Sequence, residues 1–450
     1  MPDSRCSIDV PEGDCPGRRI CVDGACIVPI DDGAAKADDV AATWDNIWTT
    51  YHESYGAFDA KPELDWAAVR DDVNADVDDA TTQLEADWPM SRGIQAIGDG
   101  HTVLMPPSLC RLDPGFGQHQ SNTGACVVET DDGLVVSHVG PHNPMGFVVG
   151  DLVQSFDGRT SEQALNDLDA QPRCFAGYST SGMRRQSVVQ SVMLRDPDDG
   201  FIEVVRTDGT HHQLAVQTTS TPMTCVGVVG PHNPTLHDHG VRSAVLDGDI
   251  HYMWWPNFGV FTNTGLQAQP MIDILVPLLE NARGSRGVVF DVRGNGGGSP
   301  DVYLALANLL YDEPTTLFFG RDKTGPGPDD FTQLFPMEAE GSPDALDIPV
   351  VVLTSETSFS AADYFPGFLV QTGRGTSFGA PTGGGFGVAY NLPPIDGYGV
   401  GINVVSIHGL DGEPLEGHPP DVDHAVRYTR DDLAQGRDTV LEAAVAFLSD

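Results

Sequence analysis

The chain has 450 residues, 65 of them acidic and 24 basic, and a formal net charge of −41 at neutral pH. At roughly 100–200 residues per domain, this length allows about two to four domains and at least one sizeable core. The charge excludes a general nucleic-acid binder and disfavours adsorption to an anionic membrane, because nothing here could neutralise a run of phosphates. Apolar content of 40% rules out disorder throughout. Lysine occurs only at Lys36, Lys61 and Lys323. An Asp-rich, Lys-poor surface suits a saline habitat.

Four of the eight cysteines, Cys6, Cys15, Cys21 and Cys26, crowd the first 26 residues. This head (1–30) lacks hydrophobic periodicity, so cross-links are its natural source of order. Two disulfides within it are expected. A zinc knuckle is disfavoured by the spacing and by the lack of a nearby histidine. The expected compartment is therefore oxidising, with an exported protein, although no signal peptide and no long apolar run is visible.

After an acidic, glycine-containing linker, residues 31–105 read as a helical domain. Trp44, Ile47, Trp48, Tyr51 and Tyr55 recur at helical spacing, a second helix begins after Leu64-Asp65-Trp66, and a third runs up to Ile97. The helical pattern then breaks at Gly98-Asp99-Gly100-His101-Thr102. Residues 120–220 change to short strands and turns. Strands are expected at Gly133–Val139 and Gly150–Gly158, a short helix at 161–169, and a closing hairpin at Phe201–Arg206 and Leu214–Gln217. Residues 221–450 alternate strands (Ile250–Trp255, Gly287–Arg293, Ile348–Leu353) with helices (Gln267–Asn281, Pro300–Leu310, 360–371, Asp438–Leu448). That order predicts βαβ units and a largely parallel sheet with functional loops at strand ends.

Three loops carry chemical content. Asp291-Val-Arg-Gly-Asn-Gly-Gly-Gly-Ser299 follows a buried strand and can aim backbone N–H groups at an anion or oxyanion. It lacks the dinucleotide spacing, and a plain tight turn is the bland alternative. Thr357-Ser-Phe-Ser360-Ala361-Ala-Asp363 stands at a strand-to-helix junction. There Ser360 is either a helix cap or a nucleophile. His101 is either a turn residue or a general base awaiting a serine and a carboxylate. The pairs His211-His212 and His237-Asp-His239 read as solvated turns, so no metal site and no cofactor are expected.

Taken in order, the helical region, Asp99-Gly-His101-Thr, the inserted module, the glycine loop, Ser358-Phe-Ser360-Ala-Ala-Asp363 and Gly379-Ala-Pro-Thr-Gly resemble the carboxyl-terminal processing peptidases and tricorn core proteases. The similarity runs from about residue 40 to the end. It implies an α/β fold with a ClpP/crotonase-like βαβ catalytic core, an N-terminal helical bundle and an inserted PDZ-like β-rich module. Ser360 matches the family nucleophile, and Ala361, Gly296 and Gly297 match the oxyanion donors. The processing peptidases use a lysine as base, but Gly385 stands at that position, so a Ser–Lys dyad is nearly excluded. The tricorn-like branch uses a histidine, a glutamate and an accessory serine. His101 matches the histidine, Glu416 the glutamate (Glu413 the fallback), and Gly100 stands where the accessory serine would be. Asp99 reads as a cap of the His-Thr turn.

The resemblance therefore implies an exported, tail-specific serine endopeptidase acting on polypeptides, through unfolded or C-terminal segments, with a Ser360–His101–Glu416 site. A catalytically inactive relative binding peptides or apolar ligands in the same cleft is the alternative. A Cys-rich scaffold or adhesion protein would leave the three loops unexplained. Oligomeric state and substrate identity do not follow from the sequence.

Overall fold

The computed structural model describes residues 20–22, 25–27, 36–112, 121–171, 174, 177–195, 200–221, 225, 230–231, 233–327 and 329–450. The backbone of the cysteine-rich head forms a short hairpin, Ile20–Val22 with Ala25–Ile27. Its expected disulfide pairing lies outside the described residues.

The helical region forms as its periodicity predicts. Val40–Ser54 buries Trp44, Ile47 and Tyr51. Trp66–Asp79 is capped by the Asp65 side chain, and Gln83–Gln95 opens on a Thr82/Glu85 capping box. Their core continues across the chain into Tyr398, Val400 and Ile402. The reason is a strand: Val103–Met105, two residues after His101, pairs antiparallel with Tyr398–Asn403. The helical region is thus stitched to the C-terminal half beside the histidine.

Residues 125–215 build an antiparallel sheet in the order Ala125–Thr130, Gly133–Val139, Leu152–Phe156, Phe201–Val205, His211–Ala215. Asp157 and Gly158, both at positive φ (52° and 78°), make the expected tight turn. The closing strand starts at His211, earlier than predicted, so His211 and His212 are exposed strand residues and not turn residues. Polar side chains on a one-sided antiparallel strand mimic a turn in the sequence. A helix at Ser181–Ser191, without a clear sequence signal, packs on this sheet. Two disulfides that the sequence left unassigned, Cys110–Cys174 and Cys126–Cys225, tie its margins.

Among the described residues, the largest sheet of the C-terminal half has seven strands. Its neighbours Ile250–Trp254, Gly287–Asp291, Val350–Thr354, Thr376–Gly379 and His424–Ala425 all run parallel. Alternate residues serve opposite faces. Val288, Phe290, Val350 and Val352 pack with the helices Gln269–Glu280, Pro300–Ala307 and Ala361–Gln371. Val289, Val351 and Leu353 pack with Thr439–Ser449. A sheet buried on both faces needs these unbroken apolar strands. Its functional loops therefore emerge at the C-terminal edge, where the glycine loop, the Ser360 loop and 380–386 leave three successive strands.

Candidate active site

Ser360 is held in a strained conformation, φ 60° and ψ −122°, immediately before the Ala361–Gln371 helix. A non-glycine residue there costs about 1–3 kcal/mol and needs external support. Asp363 supplies it. The Ser360 N–H donates to Asp363 Oδ2 at 2.6 Å, and the Asp363 N–H donates to the Ser360 carbonyl at 2.6 Å. The same carboxylate accepts from Gly384 N–H (2.6 Å) and Gly385 N–H (3.0 Å), fixing the next loop to the elbow. Full burial pushes Asp363 up to about 7, against the opposing pull of these donors.

The glycine loop presses on this elbow. A Cβ on Gly297 would lie 2.6 Å from Ser360 Cβ and 2.9 Å from Ala361 N, so only glycine, here at φ 89°, permits the approach. Asn295 organises the contact: its carbonyl accepts from Phe359 N–H, its Oδ1 accepts from Gly297 N–H at 2.8 Å, and its Nδ2 donates to the Trp255 carbonyl. Gly296 N–H donates to the Pro256 carbonyl at 3.2 Å. Of the two predicted glycine donors, Gly297 thus packs against Ser360, and the N–H groups of both are held by internal acceptors. Below the loop, Arg293 is buried between Asp291 and Asp438 and also donates to Tyr428. Burial opposes its charge, but the two carboxylates more than reverse this and raise its pKa.

His101 lies 7% exposed, its ring centroid 4.6 Å from that of Phe359, the residue preceding Ser360. Its Nδ1 is buried without a hydrogen-bond partner. Burial lowers the imidazole's affinity for a proton, with Asp99 acting weakly in the other direction. Glu416 is 1% exposed, and neither Oε makes a well-formed hydrogen bond. Burial pushes its carboxyl well above the usual glutamate range, and the Asp99 charge adds to this. Lys61 and the Ser179 hydroxyl pull it down, and Asp363 pushes it up. The fallback Glu413 is exposed on the turn before it.

Asp99, His101 and Glu416 each present a donor atom, all within 4.8 Å of one another. That spacing would admit a cation, but both Asp99 oxygens are spent. Oδ1 accepts from His101 N–H at 2.6 Å, and Oδ2 accepts from Tyr55 Oη and Asn403 Nδ2, each at 3.0 Å. Asp99 is the turn cap expected of it, and Glu416 also lies within 4.8 Å of the imidazole. Lys61 is a residue that sequence reasoning missed. Its Nζ donates to the Gly98 carbonyl at 2.6 Å and would lie 2.8 Å from a Cβ on Gly417. No motif marks it, because it arrives from the helical region through the fold. A strained serine at a helix start, with a buried histidine packed on the residue before it and a carboxylate near that histidine, is a set of groups suited to nucleophilic acyl transfer.

Comparison with known proteins agrees with this chemistry. Residues 256–424, somewhat over a third of the chain, match the model of peptidase family S41. A probable CtpA-like serine protease of Staphylococcus haemolyticus (strain JCSC1435) is 28% identical over 144 residues. That match covers 32% of this chain and 28% of the relative's own length. Among solved structures, mature CPAF complexed with lactacystin superposes with a TM-score of 0.68 at 14% identity, covering 91% of this chain and 97% of the other. A putative peptidase from Parabacteroides merdae ATCC 43184 gives 0.56 at 20% identity, with the same coverage. These two likenesses show the mixed α/β fold. Among the described residues, no helix is long and apolar enough to cross a membrane.

Proposed function

We propose that the chain is a serine endopeptidase that cleaves peptide bonds in unfolded or C-terminal polypeptide segments, with Ser360 as nucleophile, His101 as general base and Glu416 as the carboxylate that orients the imidazole. The observation carrying this reading is the approach of the buried His101 and Glu416 to within 4.8 Å, with the imidazole packed at a 30° tilt against the ring of the residue next to Ser360. His101 takes the Ser360 proton as the hydroxyl attacks the scissile carbonyl, and returns it to the leaving amine. Water then hydrolyses the acyl-enzyme by the same route in reverse.

Ala361 N–H, the first of its helix, is one oxyanion donor. Gly296 and Gly297 supply the others, the developing oxyanion competing with Pro256 O and Asn295 Oδ1 for their protons. The parallel sheet with its helices serves as a ClpP/crotonase-like core over 221–450, the 31–105 helices as its flank, and the 120–220 sheet as a PDZ-like unit that receives peptide tails. Two disulfides in the structure support an exported enzyme.

A fluorophosphonate reacts with activated serine nucleophiles and tests the reading directly. Wild-type protein should be labelled and should digest β-casein. Ser360→Ala should abolish both, and His101→Ala and Glu416→Gln should slow both by about 100-fold or more. Unlabelled wild-type protein at any salt concentration or pH would favour the inactive, peptide-binding relative.

A further inference from the structure

The sequence lacks the accessory serine before the histidine, yet the fold brings another hydroxyl to the same place. Gly100 N–H donates to Ser179 Oγ at 2.9 Å, and a Cβ on Gly100 would lie 3.3 Å from that oxygen. On the other side, the Ser179 carbonyl would stand 3.1 Å from a Cβ on Gly417. Residue 179 is therefore wedged between the immediate neighbours of His101 and Glu416. It is itself buried, 8% exposed.

The segment carrying it is fixed from several directions. Cys174, five residues before, is bonded to Cys110, which follows the His101 strand. Gly177 packs so closely that a Cβ there would meet the Asp99 carbonyl at 2.4 Å and the Thr102 carbonyl at 2.8 Å. Thr180 Oγ1 accepts from Met183 N–H, starting the next helix, and its Cγ2 would lie 2.7 Å from a Cβ on Gly384. Gly384 in turn accepts from Gly417 N–H at 2.9 Å.

We propose that Ser179, a residue of the inserted sheet region, is a positioning residue for the catalytic pair: its hydroxyl accepts from the Gly100 backbone and gives its proton to Glu416, so replacing from another part of the chain the serine absent at position 100. The inference rests on the Ser360–His101–Glu416 reading. The chemistry balances simply. Ser179 Oγ has one proton to donate once its lone pair is engaged by Gly100, and Glu416 has two buried oxygens without a well-formed bond. A serine at position 100 could not serve instead, because its Cβ would come within 2.6 Å of the Phe359 ring. The hydroxyl opposes the burial of Glu416 and the charges of Asp99 and Asp363, alongside Lys61. Also facing Glu416 are His101 and the buried phenols of Tyr55 and Tyr364, whose ionisation it further disfavours.

The arrangement makes the site depend on the inserted region. Glu416 must be ionised to stabilise the imidazolium formed in catalysis, so losing the Ser179 proton should raise the pH at which the site becomes competent.

The test is the pH dependence of fluorophosphonate reaction with wild type, Ser179→Ala and Ser179→Thr. Ser179→Ala should react roughly 10- to 100-fold more slowly near neutrality, the range for a lost hydrogen bond to a charged group. Its acid limb should move to higher pH by about one unit or more, and Ser179→Thr, which keeps the hydroxyl, should recover most of both. Equal rates and limbs in wild type and Ser179→Ala would overturn the inference while leaving the catalytic reading intact. Absence of reaction in the wild type would instead defeat that reading. The inference is then decided by infrared titration of the Glu416 carboxyl, assigned through Glu416→Gln: a higher midpoint in Ser179→Ala supports it, an unchanged one overturns it.

Discussion

The ring of Phe359 lies 4.6 Å from the imidazole of His101, tilted by 30°, and fills the space above two glycines. A Cβ on Gly385 would approach Phe359 Cε2 to 2.0 Å, and one on Gly100 would reach the ring at 2.6 Å. One ring thus bars a side chain at both positions where the resemblance would put a lysine and a serine. A lysine cannot be restored at 385 while Phe359 keeps its place. Gly385→Lys should therefore lower stability by about 1–3 kcal/mol or more, as overpacked sites do, and should not raise fluorophosphonate reactivity. Thermal unfolding and labelling rate check this; a faster-reacting, fully stable Gly385→Lys protein would refute it.

The same ring keeps water from His101. In Phe359→Ala, water should enter, the protonated imidazole should gain solvation, and its depressed pKa should climb back toward the ordinary histidine range. Because the base must be neutral to act, that variant loses reactivity first on the acid side. Histidine titration by nuclear magnetic resonance provides the direct readout.

Asp363 offers a separate pH signature. Its folded-state carboxyl is pushed up to about 7, above the unfolded value near 3.9, so between these limits the native state binds more protons than the unfolded state. Its contribution to stability therefore falls as pH rises from about 4 to 7. An asparagine in its place carries no such titration. The stability of Asp363→Asn relative to wild type should consequently improve with pH across that window, by an amount on the order of a few kcal/mol. Urea denaturation at several pH values measures it, and a flat difference would exclude the role.

How much of this was legible in the sequence follows from what the sequence encodes locally. The helical face of Trp44, Ile47 and Tyr51, the strand Gly133–Val139 and the helix Ser161–Asp169 all appeared where periodicity and turn residues put them. Ser360, His101 and Glu416 were singled out from short motifs and their order along the chain, and the fold brings the last two to within 4.8 Å of each other. Lys61 and Ser179 left no such trace, because each acts through contacts made with a different segment. The pairing of Cys110 with Cys174 and of Cys126 with Cys225 was equally hidden, since separations of 64 and 99 residues say nothing about proximity. The helix Ser181–Ser191, half-buried and polar, has too little apolar periodicity to announce itself.

Asp59 joins the helical region to the C-terminal half. Its carboxylate accepts from Ser406 Oγ at 2.9 Å, lies 3.1 Å from His408 Nε2 and pairs with Arg321. Burial works against its charge, but His408, Ser406 and Arg321 together hold its pKa below the usual aspartate range. The stabilisation is therefore complete above the unfolded aspartate pKa and is lost as pH falls through the lowered folded value. Asp59→Asn should cost about 1–2 kcal/mol at neutral pH and less in strong acid. Equal destabilisation at both would assign the loss to packing alone.

The two disulfides should separate stability from catalysis. Closing loops of 64 and 99 residues restricts the unfolded chain by about 4–5 kcal/mol each in the entropic limit, with about 2–4 kcal/mol typical in practice. Cys126–Cys225 joins the inserted sheet to the segment leading into the central sheet, remote in sequence from the Ser179 turn. Removing it by paired Cys→Ala changes should lower the melting temperature and leave the pH profile of fluorophosphonate reaction in place. Removing Cys110–Cys174 should do both: lower the melting temperature and loosen the turn that holds Ser179 against Gly100, moving the acid limb in the direction of Ser179→Ala. If both paired variants lose stability alike and neither shifts the limb, the Cys110–Cys174 bond is a scaffold only, and the Ser179 turn holds its place through Gly177 and Thr180.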